Sequence, residues 1–416
     1  NIVSCCWTNH PHQRHKICSE KYGGGLNKYR HFYGVETPLR FRATKYKIVD
    51  EEKQFASYRN AGSLKKEGGL KILLVGELAY NPERVYALEQ AGHKLYGLWA
   101  KPRFGFSTIG HLPFGNVEDI PYENWESAVS DIAPDVIYAL LSTGAIELAH
   151  EVLTTNTGIP FVWHFKEGPH EAMKDGLWKK LIDLYTYADG RIYLNEEIKA
   201  WFEQFVPTGM HSAVSMIMDG DLPKKECFDG CNSERLSATD GETHTVVTGR
   251  IIGLSPEEFR ILASNKIHLH LYSENEMADP AILQFQNVAP QFFHVHKHCA
   301  ADRWVEEFSK YDAGWLHCIG SVNHGSLLKA IWSDLNLPAR INTLAAAGLP
   351  MILRNDSWHL NAQYNYVMSR GMGVDYSHIA GLVERLKDND TLDTIRKNAT
   401  RSRTRGAAGH RHWPSW

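Results

Sequence analysis

From Leu70 onward, short apolar runs alternate with segments in which apolar residues return every three or four positions. A run with little polar interruption is buried on both faces, and helix-period segments between such runs predict the layers covering a parallel sheet. Strands are predicted over Leu70–Val75, Lys94–Trp99, Asp135–Leu140, Ile159–His164 and Arg191–Leu194. Helices are predicted over Pro82–Ala91 and from Gly144, His170 and Glu196. The loop after the first strand, Gly76 to Asn81, lacks the spaced glycines that let a backbone approach a dinucleotide pyrophosphate.

A second series begins at His244. Strands are predicted over His244–Thr248, Ile267–Tyr272, Phe292–His296, Ala313–His317 and Pro350–Leu353. Ser255 and Glu258 stand three apart around Pro256, the pattern of a capping box with proline in the first helical turn. Between Asn336 and Asn355, Ile341, Leu344, Ala345 and Gly348 recur on one helical face. Pro338 suits the start of that helix and Gly348 the residue just past its end. Asn336 and Arg340 gather at the helix start, where unpaired N–H groups and an arginine suit an anionic phosphate.

The fold class is therefore α/β: two tandem Rossmann-like, doubly wound domains facing a cleft, with ligands at the carboxyl ends of the strands. The first domain covers 70–223 and the second 244–390, joined by a polar linker or loop over 224–243. Residues 1–69 form a poorly defined extension, and 391–416 form a frayed helix end with a basic tail.

Composition agrees with two globular domains. The chain has 416 residues, 43% hydrophobic and 22% charged, with a net charge of −3. Basic residues are scattered until the tail, which argues against a nucleic-acid partner. No apolar run reaches the ~18 residues of a membrane span. Seven cysteines with no signal peptide point to reduced thiols in a cytoplasm, and a peripheral contact at the inner face of the membrane is left open. The chain opens at Asn1 rather than a methionine, which leaves an upstream leader open.

No metal is expected. Cys5, Cys6, His10, His12, His15 and Cys18 match none of the structural-zinc spacings, and Cys227 with Cys231 lacks a second pair. His294, His296 and His298 alternate at a strand end, where Lys297 favours a phosphate-side or packed role over zinc.

Three motifs carry a family resemblance. Met218 to Asp221 looks like an Asn-Gly-x-Asp handover turn between domains. Val247 to Arg250 is similar to a first strand ending in a Gly-Arg that meets a donor diphosphate. Leu344 to Pro350 is similar to an Ala-x-Ala-x-Gly-x-Pro signature on the donor helix. On these residues the chain resembles glycosyltransferases of the GT-B fold, in particular glycosyltransferase family 4, from about Leu70 to about Lys387. It departs where many retaining members carry two glutamates, since those places hold Leu335 and Thr343. Asp334, Asn336 and Asn342 are the polar groups nearest to them, and Leu337 to Ile341 looks like a Pro-x-Arg variant.

The resemblance implies transfer of a sugar from a nucleotide-diphosphate donor to the hydroxyl of a glycan, lipid-linked or small-molecule acceptor. No cofactor or metal is implied beyond the nucleotide sugar itself. Arg250, Gly249, Pro338, Arg340, Ile341, Thr343, His296 and His317 are the donor-binding candidates, with the two arginines stabilising the leaving diphosphate. His164 or Glu167, after the strand ending at His164, is the candidate base. The alternatives are a nucleotide-sugar epimerase on the same fold and a non-catalytic relative that binds sugar or nucleotide.

Overall fold

A computed structural model describes residues 69–409, apart from 78–81, 101–116, 156–157, 167, 207–212, 219–222, 224, 274–279 and 357. The early cysteines and histidines, Glu167, most of the handover turn and the last residues of the tail lie outside the described residues. The chain forms two compact units that divide after Met218.

The first unit is built on β1 (Lys71–Gly76), β2 (Lys94–Trp99), β3 (Val117–Asp119), β4 (Val136–Leu141), β5 (Phe161–Phe165), β6 (Gly190–Tyr193) and β7 (Val214–Ile217). Every pair is parallel, and the sheet order is β3-β2-β1-β4-β5-β6-β7. The chain thus moves outward from β1, returns, and builds the other half beginning with β4. The crevice between β1 and β4 is where connections leave in opposite directions, the usual ligand position in such sheets. Trp163 of β5 is fully buried, edge-on to Tyr185, Tyr193 and Phe202 at 5.3, 5.6 and 5.0 Å between ring centres. β3 and β7 were not legible as apolar runs because they are edge strands with mostly exposed side chains.

The second unit carries β8 (Thr243–Thr248), β9 (Ile267–Tyr272), β10 (Phe293–His296), β11 (Ala313–Trp315), β12 (Met351–Arg354) and β13 (Gly373–Tyr376). These also run parallel, in the order β10-β9-β8-β11-β12-β13, with the switch between β8 and β11. One face of this sheet is apolar: Val247, Leu269, Leu271 and Phe293 pack with helices that include Phe259 and Leu382. The helix Pro256–Ser264 is capped as its sequence predicts, with the Glu258 N–H donating to Ser255 Oγ at 3.2 Å and the Ser255 N–H to Glu258 Oε2 at 2.9 Å. Ser255→Ala should cost about 1 kcal/mol, read as a lower urea midpoint with an unchanged slope.

Two stretches differ from their sequence reading. The described part of the polar stretch 224–243 is docked on the second unit: it carries a 3₁₀ turn, Lys225–Phe228, and a helix, Leu236–Asp240. Within it the Ser233 N–H donates to Ser309 Oγ at 2.8 Å, and Leu236 packs on the apolar cluster. The stretch after 391 is the end of a helix, as expected, but that helix, Asn389–Gly409, runs on past Lys397, where fraying was expected. Leu392 and Ala399 are buried there, and Arg396 Nη2 donates to the carbonyls of Tyr311 at 2.9 Å and Asp312 at 3.1 Å. Side-chain bonds to backbone hold these stretches, and binary patterning does not report such bonds. Among the described residues no helix is long and apolar enough to cross a membrane.

Candidate functional site

The switch point of the second sheet is shaped by glycines. Gly249 follows β8 with φ +89°, and its N–H donates to the Tyr272 carbonyl at 2.7 Å, ending the ladder. Gly253, at φ +81°, lies so close to the next strand's exit that a Cβ would sit 2.2 Å from the Cys318 carbonyl carbon. β11 stops at Trp315 instead of reaching His317, whose N–H and carbonyl bond to the Gln363 side chain, and the next residue, Cys318, donates its N–H to the Ile252 carbonyl at 3.0 Å. Gly314 in β11 leaves room for Leu344, whose Cδ2 would be 2.4 Å from a Cβ there. The helix Arg340–Ala346 therefore lies close against the sheet at the switch.

That closeness brings Arg340 in. Its Nη2 donates to the Arg250 carbonyl at 2.7 Å and its Nη1 to the Trp315 carbonyl at 3.4 Å, joining the loops after β8 and β11. Arg340 is 8% exposed, and among the described residues no carboxylate pairs with it. Burial is the main cause that brings its pKa down to about 10, with the nearby Arg250 adding to the effect. Arg250 itself is exposed. His317 stacks on Trp332 with ring centres 6.0 Å apart, and its backbone exchanges hydrogen bonds with the Gln363 amide at 3.2 and 2.8 Å. Burial first, then Arg340 and Arg250, depress the His317 pKa to about 3. Positive charge held without a counter-charge in a partly dry crevice favours an incoming anion, and guanidinium groups match phosphate oxygens in geometry.

The predicted donor residues divide accordingly. Gly249, Arg250, Arg340 and His317 are brought to one place. Pro338 is buried at the start of the helix, and its carbonyl accepts from the Ile341 N–H at 3.0 Å. Ile341 joins the apolar cluster with Leu337 and Leu344, and Thr343 is buried on the same helix. His296 engages a different set of groups: its Nε2 is 2.9 Å from His270 Nδ1 and its ring stacks on Tyr272. Asp334 is occupied in capping, its Oδ2 accepting from the Ile331 N–H at 2.9 Å. Gln363 escaped the sequence reading, because nothing in its neighbourhood marks an amide that clamps a strand exit.

In the first unit His164 is fully buried near the end of β5, with Nδ1 2.7 Å from the Tyr138 hydroxyl and Nε2 without a hydrogen-bond partner among the described residues. Burial foremost, with Arg84 and Lys166, holds its pKa well below the ordinary imidazole value. At the β1/β4 switch the Ser142 hydroxyl donates to buried Glu77 Oε2 at 2.6 Å. Neither residue was singled out from sequence. The signal available was their place, each directly after an apolar strand.

These depressed histidines have a thermodynamic consequence. A group whose pKa is lower folded than unfolded contributes stability that is present above the unfolded value and is lost as pH falls. His164 and His317 should each weaken the fold by about 1.4 kcal/mol per pH unit below ~6.5, down to about 3 for His317. Urea unfolding from pH 7 to pH 5 measures the slope, and His317→Gln should remove its share.

Neither a protein-family model nor a curated protein sequence matches the chain. Solved structures do match in fold. HepE of Anabaena in complex with UDP superposes with a TM-score of 0.56 at 14% identity, over 81% of this chain and 95% of that one. The same protein in complex with UDP-glucose gives 0.54 over the same shares. MnaA of S. aureus in complex with UDP gives 0.50 at 10% identity, over 82% and 94%. What is shared at such identities is the fold, a glycosyltransferase-like GT-B fold with two parallel α/β sheets.

Proposed function

We propose that the chain is a metal-independent glycosyltransferase: it binds a nucleotide-diphosphate sugar on the second unit and passes the sugar to an acceptor hydroxyl. The observation that carries this reading is Arg340, a buried guanidinium with no carboxylate partner among the described residues, fixed to the loop that presents exposed Arg250. Its support is that proteins of the same fold, HepE among them, are solved with UDP or UDP-glucose bound.

Departure of the sugar leaves negative charge on the diphosphate. Fixed cations facing that charge stabilise the transition state without reorganising. Arg250 meets the phosphate oxygens; Arg340 holds the Arg250 carbonyl and adds its own field; neutral His317 lines the crevice. His164 is the candidate base, in the tautomer that donates Nδ1–H to Tyr138; its Nε2 is buried, so it takes the acceptor's proton only when the strand exit opens to it. Glu167 is the alternative base. The acceptor is a glycan, a lipid-linked sugar or a small molecule, with cytoplasmic chemistry and a peripheral membrane contact for a lipid-linked one.

Incubation with a panel of nucleotide sugars and acceptors, with detection of released nucleotide, tests the reading. Arg250→Ala should weaken nucleoside-diphosphate binding about 10- to 100-fold, the worth of one or two charge-assisted hydrogen bonds. Wild-type protein that binds no nucleotide sinks the proposal. An epimerase on this scaffold would instead return an altered nucleotide sugar with no transfer, and a non-catalytic relative would bind without turnover.

A further inference from the structure

The sheet face opposite the apolar one carries five histidines in register. His244 of β8 lies opposite His268 of β9, and His270 lies opposite His294 of β10. His296 follows two residues on. The rings form two hydrogen-bonded chains. In one, Asp240 Oδ2 lies 2.9 Å from His244 Nε2, His244 Nδ1 lies 3.0 Å from His270 Nε2, and His270 Nδ1 lies 2.9 Å from His296 Nε2. In the other, Glu242 Oε2 lies 2.8 Å from His268 Nε2, and His268 Nδ1 lies 2.9 Å from His294 Nε2. The chains begin side by side, with the His244 and His268 rings parallel within 6° and their centres 4.3 Å apart.

Two Nε2 atoms and the Asp240 carboxylate therefore converge. The ligand atoms of Asp240, His244 and His268 all lie within 4.8 Å of one another. Glu242 stands just outside that set: Lys266 Nζ donates to its Oε1 at 3.0 Å, and its Oε2 lies 2.8 Å from His268 Nε2. A tetrahedral ion with bonds of about 2.0–2.1 Å needs ligand atoms somewhat closer than 4.8 Å, a contraction within reach of an exposed Asp240 side chain.

The geometry points to a binding site for one borderline transition-metal dication, zinc in the first place, held by His244 Nε2, His268 Nε2 and the Asp240 carboxylate, with the Glu242 carboxylate or a water in the fourth position. A histidine that ligates through Nε2 needs an acceptor for its Nδ1–H, which fixes the tautomer and ring orientation. Both ligand histidines have one already, in His270 Nε2 and His294 Nε2. Binding turns each chain from the tautomers that donate Nε2–H toward the carboxylates to those that donate Nδ1–H away from them. Every ring keeps one proton.

This site is distinct from the diphosphate crevice. It lies at the amino end of β8, whereas Gly249 and Arg250 follow its carboxyl end, six residues and roughly 20 Å away. Its ligands come from the helix Leu236–Asp240, the turn after it, β8 and β9, so the ion clips a short helix to the sheet. Its role is structural, and the transfer proposed above proceeds without it.

The full chain, stripped with a chelator, is titrated with Zn²⁺ against a chromophoric competitor, and Co²⁺ is then used as a spectroscopic probe. Cys5, Cys6 and Cys18 with the nearby histidines can also take zinc, so the readout is the tight equivalent that substitutions at the site remove. Wild type should take that equivalent and give the intense visible absorption of four-coordinate cobalt. Asp240→Asn and His268→Gln should each weaken it at least 100-fold, while Ser255→Ala keeps it. Zinc should raise the melting temperature of wild type and leave that of His268→Gln unchanged. Should His268→Gln fail to fold without metal, Asp240→Asn, at an exposed side chain, decides. Absence of a tight equivalent in wild type, or wild-type affinity in Asp240→Asn, overturns the site.

Discussion

Replacing Arg340 with methionine should weaken nucleoside-diphosphate binding by at least ~100-fold or about 2.7 kcal/mol, while costing the second unit only about 2 kcal/mol of stability. Two opposing effects set the second half of that expectation. The substitution removes hydrogen bonds to the Arg250 and Trp315 carbonyls, each worth about 1.5–3 kcal/mol with a charged donor. It also removes a buried cation with no carboxylate partner among the described residues, and apolar replacement of buried charge is often neutral or stabilising by about 1–4 kcal/mol. The first sum, about 3–6 kcal/mol, exceeds the second, so the urea midpoint should fall by the equivalent of about 2 kcal/mol. Binding has no such compensation, because methionine supplies neither charge nor a clamp for the loop that carries Arg250. Arg340→Met is the sharper probe than Arg340→Ala, which leaves more of the buried side-chain volume empty. A large loss of stability with retained nucleotide affinity would make Arg340 a structural clamp alone.

Gly253→Ala should cost the second unit at least ~3 kcal/mol and weaken nucleotide binding with it. An L-residue at φ +81° is strained by about 1–2 kcal/mol, and the new methyl would overlap the Cys318 backbone, with 2.2 Å to its carbonyl carbon and 2.5 Å to its oxygen. Backbone cannot rotate aside as a side chain does, so the loop 249–254 must lift from the strand exit. Lifting it breaks the Cys318 N–H bond to Ile252 and moves Arg250. A unit of this size should melt roughly 6–12 °C lower. Gly241→Ala is the control: its φ is +75° but no atom lies within 4 Å of the new methyl, so only the strain remains.

The fold was legible where burial is two-sided. β2 and β9 fall on their predicted bounds, and β8 starts one residue before its own, because these central or near-central strands are rich in apolar and β-branched residues, with β9 alternating leucine and histidine. β3 and β7 stand at edges and expose most of their side chains, so the same signal was missing. In the 340–348 stretch, Gly348 takes φ +66° at the end of its helix, as its position implied. The candidate site was partly legible. Gly249, Arg250, Arg340 and His317 follow strand ends or open a helix, places that topology brings together.

What the sequence could not give is what each side chain does there. Arg340 reads as a cation presented to a ligand, yet its guanidinium is turned inward to two carbonyls. His296 reads as a residue at a strand end, and its contacts are set by the neighbouring strand's His270 and Tyr272. The histidine rows depend on register between three strands. Positions 26 apart in sequence become neighbours, and spacing within any one strand does not show it.

Calorimetric titration of the full chain with uridine, guanosine and adenosine diphosphates tests the diphosphate site most directly. One of the three should bind at a single site per chain, with affinity reduced about 10- to 100-fold in Arg250→Ala and at least ~100-fold in Arg340→Met. No binding of any of the three to wild type, or equal affinity in wild type and both variants, would contradict the assignment of this crevice to a nucleotide donor.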